Sequence, residues 1–152
     1  MDNRPIGVFD SGLGGLTAVR ELIRVMPGED IVYFGDTGRV PYGTRSRETI
    51  IKYAMQDIAF ISSFDTKAIV IACGTVSSVA HDVIAGKYDI PIVGTVKSSA
   101  DKASKASISG RIGVIGTTGT VCSGAFGNMI RSLRPDADVI EKACPLLVPL
   151  VE

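Results

Sequence analysis

Cys73 is the residue of this chain best placed for nucleophilic or general-base chemistry. It follows the apolar run AIVIA at 68–72 and precedes a segment with helical spacing, so its thiol is expected at a helix N-terminus. The positive end of the helix dipole is predicted to lower the pKa of Cys73 from its reference value of about 8.5. We therefore expect Cys73 to be the most reactive thiol; the alternative is a small buried hydrophobe, a common role of free cysteine.

Two loops are predicted to bind an anion such as a carboxylate or a phosphate. The first is DSGLGG at 10–15, whose glycines permit a tight turn before a helix with free backbone N–H groups. The second begins at Thr117, where hydroxyls beside a helix N-terminus bind anions as readily as they cap the helix. Asp10, in the first of these loops, is either part of its anion site or a turn-capping residue.

A turn after the second apolar run supplies a third candidate. Pro41 and Gly43 flank Tyr42 and are expected to hold its ring and backbone amides over the site. The alternative is an ordinary loop with a packing tyrosine. Ser46, with Thr49 three residues later, is the expected N-cap of the next helix.

Other residues favour structural roles. Cys122 and Cys144 are expected in the core, and His81 is expected to be structural because no second metal ligand accompanies it. A dinucleotide fingerprint would need glycine where Thr17 stands. A dinucleotide-binding domain with Asp36 as the ribose ligand is therefore the least favoured alternative.

Short apolar runs alternate with longer segments of helical spacing, and this order predicts the elements that position the candidates. Strands are expected at 6–9, 31–34, 68–72, 90–94 and 112–116, with a further strand within 137–143. The fold class is therefore α/β, with a mainly parallel sheet covered by helices on both faces. Ligands bind such sheets at the carboxyl ends of the strands, where the candidate loops lie.

Two stretches of the chain also resemble each other in sequence. The stretches 6–34 and 112–142 both begin with Ile-Gly-Val and continue with a small-residue loop, an amphipathic segment and a proline, so that Ile6 aligns with Ile112 and Pro27 with Pro135. Chance similarity between two βα units is the alternative to duplication. A duplication predicts two similar lobes of which the second is incomplete.

Composition restricts the partners. The chain has 152 residues, of which 45% are hydrophobic and 21% charged, and 16 basic residues balance 16 acidic ones. The net charge of +0 supplies no positive field, so no nucleic acid is expected as a partner. The apolar runs are far shorter than the roughly 20 residues of a spanning helix, and no signal-peptide pattern is present. No membrane is therefore expected as a partner, and the predicted location is cytoplasmic.

Five segments, VFDSGLGG, YFGDTGRVPYG, IACGT, IGVIGTTGT and ACPLLVPLVE, resemble in content and order those of the glutamate racemases, in the aspartate/glutamate racemase superfamily. The resemblance implies an isomerase that needs no cofactor and interconverts L- and D-glutamate by proton transfer between two thiols. Such an enzyme supplies D-glutamate for peptidoglycan, and hence for cell wall biogenesis and cell shape. Glutamate is the implied small-molecule partner, and a homodimer is left open.

The resemblance also implies residue roles. Cys73 corresponds to the first thiol, Asp10 to the acidic residue that assists it, and Glu152 to a catalytic acidic residue near the histidine of the second thiol. No metal ligand is implied. The positions that bind or line the substrate are implied to be Asp10, Ser11, Pro41, Tyr42, Gly43, Gly74, Thr75, Thr117 and Thr120.

The sequence departs from the family pattern in two places. Gly74 replaces the asparagine of Cys-Asn-Thr, which removes an amide that would contact substrate, and the second Cys-Thr-His motif is absent. We therefore interpret the sequence as a C-terminally truncated racemase, with a first lobe at 1–96 and part of a second at 97–152, that is expected to be inactive alone. The alternatives are a racemase for aspartate and a non-catalytic protein that binds acidic amino acids or regulates a partner.

Overall fold

A computed structural model describes residues 2–151 of the chain. Its strands are β1 (Ile6–Asp10), β2 (Ile31–Gly35), β3 (Ala68–Ile71), β4 (Ile92–Gly94), β5 (Arg111–Gly116) and β6 (Asp138–Ala143). Its helices are α1 (Leu16–Val25), α2 (Arg47–Ser62), α3 (Gly74–Val79), α4 (His81–Ala85), α5 (Thr95–Ala106), α6 (Thr118–Ser123), α7 (Ala125–Leu133) and α8 (Leu147–Val151). A single 3-10 turn covers Tyr42–Thr44. Each predicted strand is present, and the α/β fold class is confirmed.

Four strands form a parallel sheet in the order β2-β1-β3-β4. Within it, Ile6 of β1 lies beside Ile31 of β2, and every residue of β1 is buried, as expected for an inner strand of a parallel sheet. Parallel pairing brings the carboxyl ends of β1, β2 and β3 to one edge. The loops that begin at Asp10, Asp36 and Cys73 therefore meet there.

Helix α2 supplies a large part of the core. The side chain of Ser46 accepts a hydrogen bond from the backbone N–H of Thr49 (3.3 Å) and caps this helix, as predicted. The helix packs with β1 and β3 in one hydrophobic cluster. Its buried residues follow the spacing of one helix face: Ile50, Ala54, Asp57, Ile58 and Ile61.

Strands β5 and β6 form a separate two-stranded parallel sheet, in which Ile112 lies beside Val139. The order β5, helix, β6 repeats the order β1, α1, β2, in agreement with the internal similarity of the sequence. Helices α6 and α7 pack on one face of this small sheet. The other face is uncovered, and its Ile115 and Ile140 are 67% and 63% exposed.

Two of the predicted helical segments are divided. The segment at 75–86 breaks at Ala80, so His81 begins α4 instead of lying inside a longer helix. The segment at 121–133 breaks at Gly124, whose φ of 64° lies in the left-handed region that favours glycine. Because α5 begins at Thr95, the predicted lobe boundary between 96 and 97 falls in its first turn.

Candidate active site

Cys73 lies at the carboxyl end of β3 and is the N-cap residue of α3. Its Sγ accepts a hydrogen bond from the backbone N–H of Val76 (3.5 Å) and lies 3.2 Å from Oγ of Ser11, in the loop after β1. The side chain is 5% exposed. Parallel pairing of β1 with β3 thus brings a thiol and a hydroxyl into contact across 62 positions of sequence.

Burial decides the charge of this thiol. Loss of solvation raises the pKa of Cys73 above its ordinary value, and the nearby Asp10 carboxylate raises it further. Hydrogen bonds from Ser11 and Val76 lower the pKa, but they do not outweigh these effects. The prediction of a lowered pKa is therefore wrong, because the six-residue helix α3 offers only a small dipole against the desolvation of a buried sulfur. At neutral pH Cys73 is a thiol.

Asp10 organises the loop that faces Cys73. Its Oδ2 accepts hydrogen bonds from the backbone N–H groups of Gly12 (3.1 Å) and Gly15 (3.0 Å). The Tyr33 hydroxyl of β2 donates to the carbonyl oxygen of Gly12 (2.7 Å) and fixes the loop against the sheet. The turn-capping interpretation of Asp10 is therefore confirmed, whereas its part in a binding site stays a prediction. The Asp10 charge also acts on the Cys73 thiol.

Three threonine side chains at the starts of the helices that follow β3 and β5 converge in a hydroxyl cluster (Thr75, Thr117 and Thr120). Thr75 Oγ1 lies 2.9 Å from Thr117 Oγ1, which lies 3.0 Å from Thr120 Oγ1. The separation between Thr120 Oγ1 and Thr75 Oγ1 is 3.5 Å. Thr117 also caps α6, because its hydroxyl accepts a hydrogen bond from the backbone N–H of Thr120 (3.2 Å). The cluster links the start of α3 to the start of α6.

The turn at Pro41, Tyr42 and Gly43 directs its backbone, not its ring, toward the second sheet. The Tyr42 side chain is 1% exposed and belongs to the core, so the prediction that its ring lies over the site is wrong. Two buried carboxylates draw the phenol inward. Gly43 packs so closely on Thr117 that an added Cβ would lie 2.3 Å from Thr117 Cβ. Gly43 is therefore the point at which the turn meets the hydroxyl cluster.

Gly74 and Glu152 are the remaining predicted site residues. A Cβ added at Gly74 would meet no atom of the described residues within 4 Å, so there is room where the family pattern carries asparagine. Glu152 lies outside the described residues, and its predicted role stays a prediction.

The other two cysteines are not core residues, in contrast to the prediction. Cys122 is exposed and Cys144 is half-buried, because the small second sheet has few elements to cover them. Because Cys73 is buried and its pKa is raised, the structure favours Cys122 as the more accessible thiol, and the order of reactivity stays a prediction. Cys122 lines a cavity of about 1140 Å³ whose lining does not include Cys73. His81 has a structural contact, with its Nε2 lying 3.2 Å from the carbonyl oxygen of Ile92.

A charged cluster beside the turn was not predicted from the sequence. Arg39 Nε lies 2.6 Å from Asp36 Oδ2, and Arg39 Nη2 lies 2.5 Å from Asp57 Oδ1. The guanidinium also lies over the Tyr53 ring, 4.4 Å from its centroid. Asp36 is thus engaged within the protein, which disfavours the ribose-ligand alternative. The sequence feature that indicates this cluster is Asp57, because a carboxylate on the apolar face of a helix needs buried partners.

Neither a metal centre nor a membrane span is found in the part of the chain that the structure describes. In residues 2–151, no three His, Cys, Asp or Glu side chains are grouped in a way that could hold a metal ion. The helices of the same residues lack the length and hydrophobicity needed to cross a bilayer.

The fold agrees with the family comparison. Residues 10–146 match the family described as Asp/Glu/Hydantoin racemase, and the chain belongs to this family. Its similar relatives are glutamate racemases. The glutamate racemase of Geobacter metallireducens is 46% identical over 149 residues, which make up 98% of this chain and 55% of that protein.

Two solved glutamate racemase structures also match nearly the whole of this chain over little more than half of their own length. Glutamate racemase from Francisella tularensis in complex with D-glutamate gives a TM-score of 0.92 at 41% identity, covering 99% of this chain and 57% of that one. A glutamate racemase isoform from Bacillus anthracis gives a TM-score of 0.96 at 38% identity, with the same coverage of 99% and 57%. The chain therefore spans little more than half the length of the relatives it matches.

Proposed function

We propose that this chain forms the first proton-transfer site of a glutamate racemase that needs no cofactor. The observation that carries the proposal is the contact of Cys73 with Ser11, together with the hydroxyl cluster that begins two residues after Cys73 at Thr75. Racemisation needs a base at Cα and oriented donors for the negative charge that develops there. The D-glutamate bound in the Francisella tularensis structure supports glutamate as the substrate.

Cys73 is the proposed base on one face of the substrate. Its thiolate takes the Cα proton, and the electron pair left on Cα is delocalised into the adjacent substrate carboxylate. The hydroxyls of Ser11 and of the hydroxyl cluster donate hydrogen bonds that stabilise this charge. An acid on the opposite face then returns a proton to Cα and inverts the centre. Cys73, now a thiol, must lose its proton before the next turnover.

Asp10 is proposed to tune this base. Because its carboxylate raises the pKa of Cys73, the thiolate that forms beside it is a stronger base than an ordinary cysteine thiolate. The same interaction keeps the thiolate fraction small at neutral pH. Asp10 thus adjusts the protonation equilibrium of the thiol, while Ser11 stabilises the thiolate once it forms.

The opposite acid is proposed to belong to the part of the relatives that this chain does not cover. Under this proposal, residues 1–96 form a first lobe, residues 97–152 form part of a second, and Glu152 lies near the opposite acid. The product, D-glutamate, is proposed to serve peptidoglycan synthesis in the cytoplasm, and hence cell wall biogenesis and cell shape.

Isotope exchange tests the proposal. Each enantiomer of glutamate is incubated with the chain in deuterium oxide, and both the deuterium content and the handedness of Cα are measured. We expect slow deuterium uptake with retained handedness, because a base is present on one face without an acid on the other. Cys73→Ser should abolish the uptake, while the matched control Cys122→Ser should retain it.

Other outcomes would reassign the function. Glutamate binding in a calorimeter without exchange would favour a non-catalytic protein that binds acidic amino acids. Faster exchange with aspartate than with glutamate would make aspartate the substrate. Rapid inversion that depends on Cys73 would mean that this chain, or a second copy of it, supplies the opposite acid.

A further inference from the structure

The charged cluster beside the turn consists of Asp36, Arg39, Tyr42 and Asp57. If both carboxyls were ionised, the hydrogen bonds of this cluster would lack one hydrogen. The Tyr42 hydroxyl contacts a carboxylate oxygen of Asp36 and also lies 2.7 Å from Asp57 Oδ2. A phenol carries one hydrogen and can donate it to only one of them. If both carboxyls were ionised, a lone pair of the phenol would face a buried carboxylate oxygen. One of the two acids must therefore be neutral.

The contacts require one extra proton, and burial favours Asp57 as its carrier, because the Asp57 side chain is 2% exposed and that of Asp36 is 8% exposed. A proton on Oδ2 lets Asp57 donate to the Tyr42 oxygen, and Tyr42 then donates to Asp36, whose carboxylate is paired with Arg39 Nε. Asp57 Oδ1 still accepts from Arg39 Nη2. Every contact then has one donor and one acceptor.

Burial is the largest influence on Asp57 and raises its pKa, because the carboxyl is 2% exposed on the inner face of α2. Asp36 raises the pKa further, while Tyr42 and Arg39 lower it. Tyr42 and Arg39 contact the Asp57 carboxyl, and Asp36 acts on it through its charge. Arg39 in turn packs on the Tyr53 ring, which keeps the guanidinium in place.

The charged cluster fixes the turn at residues 41–43 against the first sheet and α2. Asp57 belongs to α2, and Asp36 directly follows β2, so the Tyr42 phenol is held between two fixed elements. The next residue, Gly43, packs directly on Thr117 of the hydroxyl cluster. Any movement of the Tyr42 phenol is therefore passed to the contact between Gly43 and Thr117.

We propose that Asp57 is a positioning residue of the amino-acid site: as a neutral acid it donates to Tyr42 and thereby holds Gly43 against Thr117. The ligand part of this proposal rests on the function proposed above. Asp57 does not touch the substrate; it acts through Tyr42 and the turn.

Two substitutions separate a neutral Asp57 from an ionised one. Asp57→Asn keeps an N–H donor for Tyr42 and an oxygen for Arg39, so glutamate affinity should stay within about 3-fold of the parent, whereas Asp57→Leu should weaken it about 10-fold or more. The parent affinity should fall as pH rises and Asp57 ionises, while the affinity of Asp57→Asn should lose that component. Asn and Leu at the exposed Asp89 are the matched controls and should leave the affinity unchanged.

A titration without ligand keeps this test independent of the proposed function. Carbon-13 NMR of the side-chain carboxyls should show Asp57 protonated well above the reference value of about 3.9 for aspartate, in the parent chain and without glutamate. An Asp57 that ionises at or below that value overturns the proposal, as does an Asp57→Asn variant that loses as much affinity as Asp57→Leu. If the parent chain binds no glutamate, the proposed function fails for this chain, and the titration still decides the protonation of Asp57.

Discussion

Replacing Gly43 by alanine probes the contact that joins the turn to the second sheet. The φ of Gly43 is not in the left-handed region, so alanine fits the backbone, and the perturbation is steric. The new Cβ would lie 2.3 Å from Thr117 Cβ, 2.5 Å from Cγ2 and 2.8 Å from Oγ1. An ordinary contact between carbons needs about 3.5 Å, so the turn and the α6 loop must move apart by roughly 1 Å. Overpacking of this kind typically costs about 1–3 kcal/mol.

Urea denaturation followed by circular dichroism measures this cost. Gly38→Ala is the matched control, because a Cβ there meets no atom of the described residues within 4 Å, and it should change the free energy of unfolding by less than about 0.5 kcal/mol. Thr117→Gly removes the opposing Cβ, but it also removes a helix cap and the hydroxyl contacts with Thr75 and Thr120. In the parent it should therefore cost about 1–3 kcal/mol, and in the Gly43→Ala background relief of the clash should offset part of that cost.

The sign of the coupling between the two substitutions is the decisive quantity. Relief of the clash requires that Thr117→Gly destabilise the protein less in the Gly43→Ala background than in the parent. Strictly additive effects, or a Gly43→Ala variant as stable as Gly38→Ala, would refute the reasoning. Either result would mean that the turn and the α6 loop do not touch in solution.

Three further results are expected. Iodoacetamide at neutral pH should label Cys122 before Cys73, as mapped by mass spectrometry, and preferential labelling of Cys73 in the parent would contradict this order. Labelling of Cys73 should rise with pH because its pKa is raised, and Asp10→Asn should accelerate the labelling of Cys73. Gly74→Asn should tighten glutamate binding in a calorimeter without lowering stability, because the added side chain enters open space, and an unchanged affinity would speak against a substrate contact there. The chain should associate in sedimentation experiments through the uncovered face of β5 and β6, and Ile140→Lys should reduce this; a parent chain that is strictly monomeric would contradict the expectation.

The sequence was sufficient to predict the strands and the place where the candidate residues meet. The rule that parallel strands present ligands at their carboxyl ends predicts the meeting of the loops that begin at Asp10 and Cys73, whereas the separation of β5 and β6 into a second sheet was not predicted. The prediction of the strands succeeded because the apolar runs are short and clearly separated. The internal similarity also predicted a second unit in which β5 is followed by helix and then by a further strand.

The errors arose where the outcome depends on contacts distant in sequence. The direction of the Tyr42 ring depends on two buried carboxylates, and one of them, Asp57, lies 15 positions away on α2, outside the local turn sequence. The pKa of Cys73 has opposing causes, and the sequence reveals the helix N-terminus but not the degree of burial. The exposure of Cys122 reflects how few elements surround β5 and β6.

The hydroxyl cluster has a consequence for the choice between charged and neutral ligands. Three hydroxyls that face one another use their hydrogens internally, so a ligand that enters must exchange existing hydrogen bonds for new ones. A neutral amide gains little from that exchange, since it replaces one neutral hydrogen bond by another. A carboxylate gains more, because hydrogen bonds to an ionised acceptor are roughly twice as strong as neutral ones. Rotation about the C–O bonds is enough for the hydroxyls to make this switch. If the cluster binds substrate as proposed, Thr75, Thr117 and Thr120 would therefore favour acids over amides without a lysine or arginine among them.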